Sequence, residues 1–259
     1  MGSNATKAPV RLAILEADTP MKGIDAKYTG YGGVFTHLFQ RACDSLKPPV
    51  PLESQLDLSV YHVVNDKPDV AISYPDPETI DAILITGSKH DSFENHQWIL
   101  DLISYTKRCL EGGRVRVIGV CFGHQIVARA LGAKVNRNPK GWEVSVIEHE
   151  LTDEGKKILG MDKMRINQMH RDAALEVPPG VLLLARTPVC ENQAMCIPQR
   201  MISVQGHPEF DEAMVTEILN ARKYGGVITG GLYEDGARRA GAEQDGVAVA
   251  QAFLRFLHE

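Results

Sequence analysis

Gly119-Val120-Cys121-Phe122-Gly123-His124-Gln125 follows directly on the apolar run Val115-Arg116-Val117-Ile118 and opens a segment with helical spacing. A strand that stops at a cysteine between two glycines and turns at once into a helix is a nucleophile elbow. The glycines let the backbone turn tightly. The cysteine side chain then projects from the end of the sheet, and the helix N-terminus behind it offers backbone N–H groups and the positive end of its dipole. Such surroundings lower a thiol's pKa and supply donors for an oxyanion. Much later, Gln205-Gly206-His207-Pro208-Glu209 ends a second apolar run, Met201-Ile202-Ser203-Val204. A histidine there can be a base, and a glutamate two residues on can orient it. Cys121, His207 and Glu209 therefore read as a Cys–His–Glu triad.

Outward from the elbow, strands and helices alternate. Residues 10–15 (Val-Arg-Leu-Ala-Ile-Leu) read as a first strand, 56–64 as a second and 80–85 as a third, buried one. Val34, Leu38 and Ala42 share a helical face over 33–43. Ile99, Leu102, Ile103 and Leu110 do so over 98–110, which closes at Gly112-Gly113. A further helix runs from near Gly123 to Leu131-Gly132, and Val247, Ala250, Phe253, Leu254 and Leu257 mark a closing helix over 245–257. This rhythm predicts an α/β fold, a doubly wound and mostly parallel sheet flanked by helices, with ligands at the carboxyl ends of the strands. Residues 134–150 and 182–204 look like short strands and turns, a small antiparallel extension. The expected organisation is a flexible leader over 1–8 and one domain over 9–259, with no internal repeat or low-complexity linker.

Composition narrows the function classes. A hydrophobic content of 44% is ample for a core, and a net charge of −5 argues against nucleic acid or an anionic membrane as main partner. Five cysteines form no tight framework and no signal peptide precedes them, which points to reduced thiols and a cytoplasmic protein. No apolar run is long enough to span a bilayer. Met1-Gly2-Ser3-Asn4-Ala5-Thr6 fits the loose pattern for myristoylation at Gly2 and a glycosylation acceptor at Asn4. No polybasic second signal follows, so it reads as a polar leader. His90 and His96 flank Asp91 and Glu94, but their spacing fits no metal-ligand pair, and a solvated loop is expected. His124, beside the nucleophile on a starting helix, is poorly placed to be its base.

The two motifs together resemble the class I (triad-type) glutamine amidotransferases, over most of the chain. In that family Gly-x-Cys-x-Gly-x-Gln carries the nucleophile, and His-Pro-Glu near the C-terminal end carries base and orienter. The resemblance implies Cys121 as nucleophile, His207 as base and Glu209 as orienting acid. It also implies oxyanion donors at the Gly87 N–H, in Thr86-Gly87-Ser88 after the third strand, and at the Phe122 N–H. Gln125 would reach the substrate with its amide. A loop in Asn167-Gln168-Met169-His170-Arg171-Asp172 would receive the α-amino and α-carboxylate groups, with Met169 and His170 contributing largely backbone atoms. Arg171 stands where the family often has glycine; its guanidinium either binds the α-carboxylate bidentately or points outward. Asp172 is the candidate for the α-ammonium group. Trp142-Glu143 matches a Gly-x-Glu segment of the family and reads as structural packing.

The resemblance implies attack by the Cys121 thiolate on the δ-carbonyl of a γ-glutamyl group, a γ-glutamyl thioester, and hydrolysis by water. The substrate is then a small molecule, glutamine or a γ-glutamyl peptide, and neither cofactor nor metal is called for. About fifty residues follow Glu209, too few for a synthetase domain, and no phosphate-binding loop is present. A stand-alone hydrolase similar to plant-type γ-glutamyl peptidases is one expectation. A glutaminase subunit serving a separate synthetase partner is another, and a non-catalytic binding or redox-sensing protein on the same fold is a third. Whether copies of the chain associate is left open.

Overall fold

Apolar residues occupy successive positions of the early strands, so both faces of their sheet must be covered. The computed structural model describes residues 8–66 and 69–259. The leader residues 1–7, with the Gly2 and Asn4 sites, lie outside the described residues. The first half of the chain supplies β1 (Val10–Glu16), α1 (Lys22–Tyr28), α2 (Tyr31–Asp44), α3 (Leu52–Gln55), β2 (Leu56–His62), β3 (Ala82–Ile85), α4 (Gln97–Gly112), β4 (Arg116–Val120) and α5 (Phe122–Ala130). The second half supplies β5 (Val135–Arg137), β6 (Glu143–Leu151), α6 (Asp153–Leu159), β7 (Lys163–His170), β8 (Asp172–Ala174), β9 (Leu182–Arg186), β10 (Ala194–Ile197) and β11 (Met201–Val204). It closes with α7 (Glu212–Tyr224), α8 (Gly230–Arg239) and α9 (Gly246–His258).

The main sheet has the order β2-β1-β3-β4-β11-β10-β9-β6-β7. It is parallel from β2 to β11 and antiparallel from there to β7. Alternate residues divide between two cores. Leu12, Ile14 and Val120 pack with Phe35, Phe39 and Phe253 under α2 and α9. Ala13, Leu15 and Ile83 pack with Ile99, Leu102 and Ile126 under α4 and α5. Gly113, left-handed at φ 68°, ends α4 where the sequence suggests.

Three differences from the sequence expectation bear on the site. Segment 167–172 is no loop. Its first four residues complete β7, paired with β6 through His170↔Glu143, and only Arg171 separates β7 from β8. A polar run can sit inside this sheet because its side chains are bonded there: Asn167 Nδ2 donates to the Phe210 carbonyl, and Gln168 Nε2 lies 2.7 Å from His149 Nε2. The strand β11 belongs to the parallel half, beside β4, rather than to the antiparallel extension. Two helices, α7 and α8, fill 212–239, where the sequence suggested no element; the Asp211 carboxylate caps α7 by accepting from the Met214 N–H.

Candidate functional site

Three adjacent parallel strands end at one edge and deliver one candidate residue each. The register aligns Ile85 with Gly119 and Val120 with Val204, so Gly87, Cys121 and His207 emerge side by side. The elbow depends on glycine at two points. A Cβ on Gly123 would lie 2.2 Å from the Ile85 carbonyl oxygen, and one on Gly119 would lie 2.7 Å from the Gly123 carbonyl oxygen. Cys121 has φ 52° and ψ −103°, a conformation that costs a non-glycine residue about 1–3 kcal/mol. The Cys121 N–H is held by the Val204 carbonyl at 2.9 Å, and the Gly123 N–H by the Thr86 carbonyl at 3.2 Å. Packing thus forces the cysteine out of the sheet.

His207 is buried between its neighbours. Its Nδ1 lies 2.7 Å from Glu209 Oε1, its N–H donates to the Asn167 carbonyl at 2.7 Å, and its ring stacks on Phe210 with centroids 3.9 Å apart. Cys121 stands beside the ring, close enough for its charge to act on it. Burial works against the imidazolium, but the charges of Cys121 and Glu209 and their hydrogen bonds outweigh it and raise the ring to about 10. Gly87 closes the site from above: a Cβ there would meet His207 Cε1 at 2.7 Å. Its N–H and that of Phe122 make no hydrogen bond among the described residues, so both stay available as donors.

Behind Cys121 runs a chain of amides. Ser92 donates to Gln125 Oε1 at 2.6 Å, Gln125 Nε2 donates to Gln205 Oε1 at 3.0 Å and to the Asp172 carbonyl at 2.8 Å, and Gln205 Nε2 reaches Cys121 Sγ at 3.6 Å. Both donors of Gln125 are therefore committed inside the protein. The expectation that its amide reaches out to substrate is not how the side chain lies, although it lines the cavity. His124 turns the other way: fully buried, with Nδ1 2.9 Å from Ser203 Oγ, it is pushed down to about 3 by burial and by His170 nearby.

A cavity of about 230 Å³ opens beside Cys121 and Phe122. Met169, His170, Arg171 and Asp172, which the sequence singled out, line it together with Asp91, Arg137, Trp142 and Arg222. His170 is locked, with Nδ1 3.0 Å from the Asp172 carbonyl and Nε2 3.1 Å from Glu143 Oε2. Glu143 also accepts from Thr187 and Gln193, both at 2.7 Å, which bears out the structural packing expected of it. Arg171 is exposed. Arg137 bridges Asp91 at 2.7 Å and Asp172 at 3.3 Å. Burial and the neighbouring Asp91 raise the Asp172 carboxyl to about 6, against the pull of Arg137. His90, half-buried and edge-on to Trp98, also lines this cavity, in irregular backbone before α4; His96 is exposed at the start of that helix. Arg137, Arg222 and Gln205 come to the site from distant segments, and only Gln205 carries a sequence signal, its place before Gly206-His207.

A family model for glutamine amidotransferase class-I matches residues 53–220. A glutamine amidotransferase-like protein of Schizosaccharomyces pombe is 37% identical over 252 residues, which cover 96% of this chain and 98% of the relative. Gamma-glutamyl peptidase 2 of Arabidopsis thaliana is 28% identical over 217 residues, 81% of this chain and 80% of its own. The crystal structure of a glutamine amidotransferase from Thermotoga maritima shares the fold, with a TM-score of 0.71 at 16% identity over 96% of this chain and 99% of that one.

Proposed function

The chain belongs to the class-I glutamine amidotransferase family, and on that footing we propose that it hydrolyses γ-glutamyl amide bonds with Cys121, His207 and Glu209 as its triad. The observation that carries this is the placement of His207, with Nδ1 on Glu209 and its ring beside a cysteine in a strained elbow. The pair enters the reaction as thiolate and imidazolium, which the raised His207 favours. The sulfur attacks the δ-carbonyl carbon, and the Gly87 and Phe122 N–H groups receive the oxyanion. As the tetrahedral carbon collapses, its C–N bond breaks and the His207 proton goes to the leaving nitrogen. Water then attacks the thioester, giving a proton to His207, and glutamate leaves with the thiolate restored.

In the cavity beside Cys121, Asp172 with Asp91 takes the substrate α-ammonium, and Arg171 or Arg222 takes the α-carboxylate. Gln125 acts at one remove, by orienting Gln205 toward the sulfur. The peptidase name of the Arabidopsis relative favours γ-glutamyl peptides over glutamine as substrate. The test is mass-spectrometric product analysis of the purified protein with glutamine and, separately, with a γ-glutamyl dipeptide. Glutamate plus the freed amino acid is the expected outcome. Glutamate and ammonia from glutamine alone, faster when a synthetase is added, would make the chain an ammonia-delivering subunit instead.

A further inference from the structure

Two cavities meet at the triad, and they divide its members. Cys121 and Phe122 line the first, described above, and His207 does not. His207 and Gly87 line the second, of about 300 Å³, and Cys121 does not. Ser88, Lys89, Met169 and Arg222 border both. The first is walled by charged groups. The second is walled by Met21, Tyr31, Phe210, Ile218 and Ala221, contributed by the α1 approach, the start of α2, the segment after His207 and the body of α7. Asp18, Thr19, Lys89 and Arg222 line it too, and the Tyr31 phenol adds a hydroxyl. Burial, with Asp18, Glu209 and Cys121 close by, pushes that phenol up, so it stays a neutral hydroxyl.

Proton transfer fixes which part of a substrate goes where. The acyl carbon must lie on the Cys121 sulfur, whereas the departing nitrogen must lie within reach of the histidine that protonates it. A substrate seated in this way crosses the border between the cavities at its scissile bond, with the amine portion pointing into the second. Ammonia would leave that space empty of substrate. A volume near 300 Å³ is at the lower end of small-molecule sites, and its aromatic and aliphatic wall gains from burying apolar surface.

Resting on the hydrolase reading, we propose that this second cavity is the leaving-group site and that it selects γ-glutamyl amides whose amine is a bulky apolar amino acid. Met21, Tyr31, Phe210 and Ile218 set the preference, and the acyl cavity, being separate, is indifferent to it. The experiment compares kcat/KM for γ-glutamyl-leucine, γ-glutamyl-glycine and glutamine on the whole chain, and repeats the comparison for Ala221→Trp, a substitution on an exposed position of α7 that fills the cavity from its rim. The leucyl substrate should exceed the glycyl one by about tenfold or more, and glutamine should be slowest. In Ala221→Trp the leucyl-to-glycyl ratio should shrink to within about threefold. A wild-type protein that cleaves all three amides but does not favour leucine over glycine overturns the cavity assignment while leaving the hydrolase reading intact. So does an Ala221→Trp protein that keeps the full ratio. Release of glutamate from none of the three overturns the hydrolase reading, and this proposal with it.

Discussion

Two buried histidine–glutamate pairs stand near the two cavities, and our proposal gives chemistry to only one of them. His207 and Glu209 sit after β11 with 2.7 Å between ring and carboxylate; His170 and Glu143 sit across the β6–β7 ladder at 3.1 Å. Both pairs are nearly inaccessible to solvent. The difference lies in what else each ring meets. His170 spends its Nδ1 on the Asp172 carbonyl, and Glu143 is shared with Thr187 and Gln193, so every atom serves to tie strands together. His207 gives Nδ1 to Glu209, and its ring stands beside Cys121. A buried histidine–carboxylate pair whose other contacts are all to strand residues ties those strands together. One with a cysteine beside its ring is the candidate for a base.

Replacing the two histidines separates the pairs most sharply. His207→Ala should lower kcat on a γ-glutamyl dipeptide by about 10⁴–10⁶-fold, the scale for loss of a general base from a triad. His170→Ala should keep turnover within about tenfold but lower the unfolding free energy by about 1–3 kcal/mol, because it leaves Glu143 short of a buried partner. Steady-state kinetics and urea denaturation on the same preparations check both. Turnover lost equally in the two variants would erase the distinction.

The carboxylates should show the same division at smaller size. Glu209→Gln should cost about 10²–10⁴-fold in kcat with little change in folding, since it misdirects the ring without removing it. Glu143→Gln should move in the opposite sense, with a lower denaturation midpoint and near-normal kcat.

Thiol reactivity gives a third comparison. Burial raises Cys43, and pushes Cys109 to about 11 and Cys190 and Cys196 to about 12. Cys121 alone has the His207 ring beside it, and that ring is raised. Brief iodoacetamide treatment near neutral pH, followed by peptide mapping, should label Cys121 at least about tenfold faster than any of the others. Equal labelling of Cys121 and Cys43 would count against an activated thiol.

The smallest effect concerns pH. Asp172 is raised by burial and by Asp91 to about 6, so as pH falls through 6 its carboxylate gains a proton and loses its hold on an α-ammonium group. KM should rise by several-fold between pH 7 and 5, and Asp172→Asn should have a KM already high and flat over that window. A wild-type KM that is constant from pH 7 to 5 would remove Asp172 from substrate binding.

The pair that we propose as active could be named from the sequence because its parts lie close along the chain. Glycine-flanked Cys121 turns from strand into helix within three residues, and His207 and Glu209 are two residues apart. The structural pair was not legible, because Glu143 and His170 are neighbours only through the register of two antiparallel strands joined by a helix, the second of them rich in polar residues. The family resemblance alone pictured 167–172 as a loop, and nothing local to those residues signalled that the first four complete β7. Arg137 and Arg222 approach the cavity from an extension strand and from α7, and nothing local to either residue signals where it ends. Gln125 shows the opposite failure: its place on the helix was readable, but the Ser92 and Gln205 side chains that occupy its amide come from other segments.

The most direct test of the Cys121–His207–Glu209 assignment is to acid-quench the protein during turnover of an isotopically labelled γ-glutamyl dipeptide and map the label by peptide mass spectrometry. The expected result is a γ-glutamyl thioester on the peptide containing Cys121, with none on the peptides of Cys43, Cys109, Cys190 or Cys196. A covalent label on any other residue, with glutamate still being released, would contradict it.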